Sequence, residues 1–70
     1  MKISFPSYIR PDKGQTVYEL AVEIYNEKQM GNIGDKMFLT LPDGSDIELK
    51  GSTVSEIRDS ISTQYKESHF

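Results

Sequence analysis

Apolar residues recur at helical spacing in the first half of the chain. Four of them fall at positions i, i+3, i+4 and i+7, which share one face of a helix: Val17, Leu20, Ala21 and Ile24. Thr16 stands just before this face and Glu19 lies three residues later, which is the capping-box pattern of a helix start. Gly31 is a natural stop, because glycine tolerates the left-handed conformation that ends many helices. The pattern predicts a helix over about residues 16–30.

A second helix is predicted near the end of the chain by the same kind of pattern. Its apolar face is formed by four residues at helical spacing: Val54, Ile57, Ile61 and Tyr65. Thr53 and Glu56 repeat the capping box at its start. We therefore expect a helix over about residues 53–66, and we expect the last few residues of the chain to fray.

Between the two helices, the order of polar and apolar residues predicts a β-hairpin. Residues 37–41 are mostly apolar, and residues 46–49 alternate between polar and apolar side chains, as in a half-buried strand. Pro42 and Gly44 lie between them and favour a tight turn, because proline presets φ and glycine accepts a positive φ. Phe38 has an apolar residue on each side, so one strand face cannot bury all three, and the pattern leaves open which of them lies elsewhere.

The N-terminal segment predicts less. Residues 2–5 are expected to form a short strand, and residues 7–13 an irregular loop or an edge strand, because Pro6 and Pro11 interrupt any regular pairing. A motif in this half also returns later: residues 13–20 read KGQTVYEL, and residues 50–57 read KGSTVSEI. Each copy follows a short apolar run that ends in proline, which indicates two related strand–turn–helix units.

These elements predict the fold class and the domain organisation. We expect a single α+β domain over residues 1–70, in which a small three- or four-stranded sheet carries two helices on one face. The two strand–turn–helix repeats would occupy about residues 1–34 and 35–70. A chain of 70 residues has a marginal core, and it contains no cysteine for a disulfide. We therefore expect a homodimer, with a well-packed monomer as the alternative.

The net charge of −3 argues against a protein that itself grips phosphate groups, so we expect no direct contact with nucleic acid. The same charge permits a basic protein as the partner. The absence of cysteine fits the cytoplasm, the first residues lack the pattern of a secretory signal, and no apolar run is long enough to span a membrane.

The residues that chemistry needs are missing or badly placed, so we expect no enzyme and no cofactor. The single histidine, His69, is next to last, and no serine lies in a Gly-x-Ser-x-Gly elbow. The glycine pair at Gly31 and Gly34 lacks a phosphate-loop lysine and follows a helix instead of opening one. One histidine without cysteine also makes a zinc or iron site unexpected.

Acidic residues are grouped, and these groups are the candidate partner-binding sites. Glu19, Glu23 and Glu27 step by four along the first helix and would form one negatively charged stripe. Such a stripe either keeps the helix soluble or docks against a basic surface. A second group lies on the hairpin: Asp43, Asp46 and Glu48.

Tyr18 joins the candidate partner-binding residues as an interface anchor beside the stripe, since tyrosine is common at binding hot spots. Tyr25 lies on the same helix, also off the centre of its apolar face. The alternative for both tyrosines is that they cover the edge of the core or a contact between two copies of the chain.

Residues 38–62 resemble the first hairpin and helix of TGS domains, which are small β-grasp modules of threonyl-tRNA synthetases, certain GTPases and stringent-response enzymes. The resemblance lies in three features: Leu41-Pro42-Asp43-Gly44-Ser45 in the hairpin, an alternating strand that ends at Leu49, and Gly51-Ser52-Thr53-Val54 at the start of the helix. It covers about a third of the chain, and TGS domains continue with further strands after that helix. It implies a regulatory module that contacts RNA or a nucleotide, with Arg10, Lys13 and Lys50 as the basic residues available.

In size, charge and lack of cysteine the chain also resembles small phage-encoded proteins that inhibit host DNA-binding proteins. This resemblance implies an acidic DNA mimic that acts in the host cytoplasm. We take as the leading hypothesis a module that occupies a basic, nucleic-acid-binding surface of a partner protein. The alternatives are the TGS-like module and a structural subunit whose sheet edge pairs with another copy.

Overall fold

The computed structural model describes residues 6–34 and 36–70. Within them, three strands and two helices follow one another along the chain: β1 (Ser7–Ile9), α1 (Val17–Gln29), β2 (Met37–Thr40), β3 (Asp46–Leu49) and α2 (Val54–Gln64). The predicted α+β class is confirmed, with a three-stranded sheet in this part of the chain. The strand predicted over residues 2–5 lies outside the described residues.

The start and the end of α1 follow the sequence pattern closely. The Thr16 hydroxyl accepts from the Glu19 amide and the Glu19 carboxylate accepts from the Thr16 amide, both at 3.1 Å, so the predicted capping box is complete. At the other end, Gly31 adopts a φ of +79°, and the Asn32 amide donates to the Glu27 carbonyl oxygen at 3.0 Å. This left-handed turn satisfies a carbonyl that the helix leaves free.

The second helix also starts at a threonine cap, but its glutamate binds differently from the prediction. The Thr53 hydroxyl accepts from the Glu56 amide. The Glu56 carboxylate accepts from the Ser52 amide at 3.1 Å, one residue before the cap. Both helix starts place a glycine with positive φ two residues before the threonine, Gly14 in one and Gly51 in the other. A repeat of the whole strand–turn–helix unit stays a prediction.

The sheet has the order β1-β2-β3 and mixes two kinds of pairing. β1 runs parallel to β2, and β2 runs antiparallel to β3. Residues 7–9 therefore form the edge strand that was one of the two predictions for residues 7–13, while residues 10–13 form no strand. Because α1 lies between β1 and β2 in the chain, it serves as the connection that a parallel pair requires.

The hairpin between β2 and β3 is closed by the predicted turn. The Gly44 amide donates to the Leu41 carbonyl oxygen at 2.9 Å, and the Leu41 amide donates to the Ser45 carbonyl oxygen at 2.7 Å. Gly44 has a φ of +93°, which explains the glycine at this position. The alternation expected for β3 is confirmed, since Ile47 and Leu49 are buried while Asp46 and Glu48 are exposed.

The core lies between the two helices and one face of the sheet. Helix α1 packs against α2, and α2 packs against β3. The buried apolar residues form one cluster: Val17, Leu20, Ala21, Ile24, Met37, Leu39, Leu41, Ile47, Leu49, Ile57 and Ile61. Phe38 lies on the opposite face of β2 from Met37 and Leu39, which answers the question that the sequence left open.

The expectation that the last residues fray is wrong. The Val17 amide donates to the Ser68 carbonyl oxygen at 2.9 Å, and the Phe70 amide donates to the Gln15 carbonyl oxygen at 2.8 Å. The Phe70 ring stacks on Tyr65 with ring centroids 4.9 Å apart. These contacts hold residues 68–70, which we call the C-terminal clasp, against the start of α1. Helix α2 ends at Gln64, before the predicted end at residue 66, because the backbone of Tyr65 has an extended conformation.

Candidate protein-binding surfaces

Glu19 and Glu23 lie on the side of α1 that faces away from the core, and Glu27 lies at the edge of that side. Glu19 and Glu23 are exposed, and Glu27 is half-buried. Successive members are separated by about 6 Å of helix rise. Because four residues make slightly more than one helical turn, the row drifts around the helix and brings Glu27 toward the buried edge. We call this row the α1 stripe.

Uncharged groups donate hydrogen bonds to all three carboxylates of the α1 stripe. Glu19 accepts from Thr16, Glu23 accepts from the Gln15 side-chain amide, and Glu27 accepts from the Asn32 side-chain amide at 2.7 Å. Such donors hold the side chains in place without cancelling their charge. The hydrogen bonds from Thr16, through its backbone and then its hydroxyl, lower the pKa of Glu19. Glu19 is therefore ionised at neutral pH.

The hairpin carboxylates have three different environments. Asp43 accepts from the Ser45 hydroxyl and from the Ser45 amide, and these bonds lower the pKa of Asp43. Asp46 accepts from the Thr40 hydroxyl at 2.8 Å across the strand pair. The Glu48 carboxylate accepts no hydrogen bond within residues 6–34 and 36–70. Asp46 and Glu48 share the outward side of β3, as predicted.

The structure does not bring the two acidic groups onto one surface. Asp46 and Glu48 lie on the sheet face that points away from the helices, whereas the α1 stripe lies on the outer side of the helical layer. Tyr18 is 58% exposed beside Glu19, so it does not cover the core edge. Tyr25 is partly buried against the core, which fits the alternative that was open for both tyrosines.

The outward face of the sheet carries an aromatic pair that the hydrophobic pattern alone does not predict. Tyr8 of β1 stacks on Phe38 of β2 with ring centroids 5.4 Å apart and an interplanar angle of 22°. Tyr8 is nevertheless 64% exposed. Periodicity alone could not find this pair, because the prolines around β1 hide the strand and the parallel register with β2 depends on distant residues. The only local signal was the position of Phe38 between two buried neighbours.

The three basic residues singled out in the sequence are partly brought together. Arg10 and Lys13 line an open groove of about 600 Å³, whose other walls include Leu41, Pro42 and Phe70. Lys50 is not among the residues that line it. Asp12 also lines the groove, so its charge is mixed.

Among the residues that the structure describes, no group of three or more histidine, cysteine, aspartate or glutamate side chains is arranged to hold a metal ion. Neither described helix has the length and apolar character that a bilayer crossing needs. Comparisons with protein-family models, with curated proteins and with solved structures found no match for this chain. The resemblance of residues 38–62 to TGS domains stays a prediction.

Proposed function

We propose that this chain is a small acidic binding module that occupies a basic, nucleic-acid-binding surface of a partner protein. In this role it acts as an inhibitor of the DNA-mimic type, by binding and not by catalysis. The α1 stripe carries the proposal: three carboxylates follow one side of a regular helix, and their hydrogen-bond donors are uncharged. Together they span about 12 Å along the helix axis.

The α1 stripe lowers the stability of its own helix, and this supports a role in binding. Like charges four residues apart destabilise a helix by about 0.2–0.5 kcal/mol per pair, and the stripe contains two such pairs. A lysine at position 23 would relieve both of them. Negative charge collected on one side instead steers a basic partner toward the helix and makes the association salt-sensitive. Tyr18 is exposed about 100° around the helix axis from Glu19. It lines a groove there with Arg58 and Lys66, so as an anchor it would extend the contact sideways from the α1 stripe.

The test is capture of partners from a bacterial lysate on the immobilised protein, at low and at high salt. We expect basic DNA-binding proteins to be captured at low salt and released at high salt. The triple variant Glu19→Gln, Glu23→Gln, Glu27→Gln should lose them. Glutamine also fits the third position of a capping box, so α1 should still form in this variant.

The matched control removes the same number of charges elsewhere. Asp12, Asp59 and Glu67 are exposed acidic residues outside the α1 stripe, and the control variant is Asp12→Asn, Asp59→Asn, Glu67→Gln. We expect it to keep the captured partners, and an added DNA duplex should displace them. Equal loss in both variants would show that net charge alone drives binding. Capture of RNA would favour the TGS-like module, and self-association alone would favour a structural subunit.

Action in the cytoplasm, a phage-like role in host inhibition and a homodimeric state belong to the same proposal. The homodimer is expected because the core is small for a domain that lacks disulfides. Dimer formation would leave the α1 stripe available if the contact used an edge of the sheet.

A further inference from the structure

We propose that the outward face of the sheet is a second contact surface, which recognises arginine side chains of a basic protein segment. It consists of Tyr8, Phe38 and Glu48, one residue from each strand. The inference rests on the proposed function, because it assumes that the partner is basic. It assigns arginine recognition to a surface separate from the α1 stripe.

The strand register places these three residues in one row across the sheet. Tyr8 is paired with Phe38 in the parallel pair, and Phe38 is paired with Glu48 in the antiparallel pair. Side chains directly opposite each other on neighbouring strands are about 4.5–5.5 Å apart at Cβ. The row therefore sets two stacked aromatic rings next to a carboxylate on the face that the helices do not cover.

The aromatic half of the row is open to a ligand. Stacking uses one face of each ring, and the 64% exposure of Tyr8 shows that much of its surface remains in contact with solvent. A cation placed over a ring face is attracted by the negative charge of the π-system. Arginine also stacks on aromatic rings with its planar guanidinium group, which the ammonium group of lysine cannot do.

The acidic half of the row supplies the charge that completes the site. Glu48 is exposed, and its carboxylate is unused within residues 6–34 and 36–70, whereas Asp46 on the same side of β3 already accepts from Thr40. A carboxylate can accept two parallel hydrogen bonds from one guanidinium group. An arginine that stacks on the rings can therefore pair with Glu48 at the same time.

Charge complementarity favours an arginine side chain over a nucleic acid or a second copy of the chain as the ligand of this face. The phosphates of a nucleic acid would be repelled by Glu48 and Asp46 in the middle of this face. The exposed Lys36 and Lys50 lie beyond the strand ends. A second copy of the chain, docked face to face about a two-fold axis that passes near Glu48, would bring the Glu48 carboxylates of the two copies together. A positively charged, planar side chain meets neither difficulty.

The test compares a peptide that contains arginines with the same peptide carrying lysine at each arginine position. Backbone NMR spectra of the full chain, recorded during each titration, report both the affinity and the residues affected. We expect the arginine peptide to bind about threefold tighter or more. The largest shifts should fall on Tyr8, Phe38 and Glu48.

Two variants and one control remove the proposed contacts separately. The double variant Tyr8→Leu, Phe38→Leu keeps apolar bulk on the strands but removes the ring faces, so the preference for arginine should disappear. Glu48→Gln should weaken binding of the arginine peptide, and as an exposed substitution it leaves the test valid if the double variant does not fold. Glu67→Gln, which removes one exposed charge outside both surfaces, should keep the preference for arginine.

Four results would overturn the inference. Two concern the peptides: equal affinity for both of them, or chemical-shift changes confined to α1. The other two concern different ligands: chemical-shift changes at Tyr8 and Phe38 that grow with protein concentration alone, or larger changes at these residues when single-stranded DNA is added. None of these depends on the lysate experiment. If the α1 stripe variant loses its partners while the peptides are not distinguished, the proposed function stands and this inference fails. If the preference for arginine holds while the α1 stripe variant keeps its partners, this inference stands and the proposed function fails.

Discussion

Gly51 connects β3 to α2 in a conformation that a side chain would not tolerate. Its φ is +134°, and a Cβ atom added there would lie 2.6 Å from the Glu56 Cβ. Its carbonyl oxygen also accepts a hydrogen bond from Lys28 Nζ at 3.0 Å, which ties the turn to α1. The glycine therefore allows the chain to pass close to the first turn of α2.

We predict that Gly51→Ala lowers the free energy of unfolding by about 3 kcal/mol or more, because backbone strain and overlap with Glu56 add together. Gly14→Ala is the control. Gly14 also has a positive φ, of +84°, but an added Cβ would meet nothing within 4 Å, so we expect a loss of about 1–2 kcal/mol. Urea unfolding of both variants measures the difference. Equal losses would mean that the contact with Glu56 is relieved at little cost.

Residues that act locally were the ones the sequence identified correctly. The threonine caps at Thr16 and Thr53 and the glycines at Gly31 and Gly44 could be read from their neighbours alone, because capping and turn formation depend on residues three or four positions away. Tyr8 could not. Its exposure and its contact with Phe38 depend on a strand pairing that joins two distant segments.

Among the elements, the C-terminal clasp is the one whose stability is least evident from the sequence. It combines a short pairing between Thr16 and His69 with the stack of Tyr65 on Phe70. The Tyr65 hydroxyl also donates to the His69 carbonyl oxygen at 2.8 Å. The clasp therefore links the end of α2 to the start of α1.

We predict that Phe70→Ala opens the clasp and destabilises the fold by about 1–2 kcal/mol, since it removes a partly buried aromatic contact. Hydrogen exchange should become faster at the Gly14 and Val17 amides, which donate to Phe70 and Ser68. His69→Ala serves as the control, because His69 contacts Tyr65 and Thr16 through its backbone, while its ring makes only a long contact of 3.5 Å with Ser68 Oγ. If exchange at Val17 is unchanged in Phe70→Ala, the ring does not hold the clasp in place.

The helices and the hairpin could be predicted because each is specified within its own segment. The edge strand β1 and the clasp could not, since each pairs with residues far away in the chain. The prolines near β1 favour irregular structure, and the parallel pairing with β2 overrides that preference. The polar residues 66–69 favour irregular structure as well, and the backbone hydrogen bonds with residues 14–17 override it there. The candidate surfaces follow the same division: the α1 stripe was visible in the sequence, and the outward aromatic row was not.

For the molecule as a whole, the hydrogen-bonded carboxylates make stability depend on pH in a definite direction. The pKa of Glu19 is lowered by Thr16, that of Glu56 mainly by the Ser52 amide and that of Asp43 by Ser45. A group whose pKa is lower in the folded state stabilises the fold above its unfolded pKa. That contribution is lost as the pH falls through the folded value.

We therefore predict that the free energy of unfolding is steady near neutral pH and falls below about pH 4.5, where these carboxylates begin to take up protons in the unfolded chain. The double variant Glu19→Gln, Glu56→Gln should show a smaller fall. Denaturant unfolding at about pH 7 and pH 3 measures both, with Glu67→Gln as the control for loss of a surface charge. The same fall in the double variant and in the unmodified chain would assign the acid sensitivity to other groups.

The C-terminal clasp also has a consequence for the way the protein is made. The amides of Gly14 and Val17 meet their partners only after residues 68–70 have left the ribosome. A nascent chain that already contains α1 and the hairpin must therefore wait for residues 68–70 before the first helix is anchored at its start. Anchoring of the first helix is thus coupled to the synthesis of a segment beyond α2, and a chain cut before residue 68 holds the start of that helix only loosely.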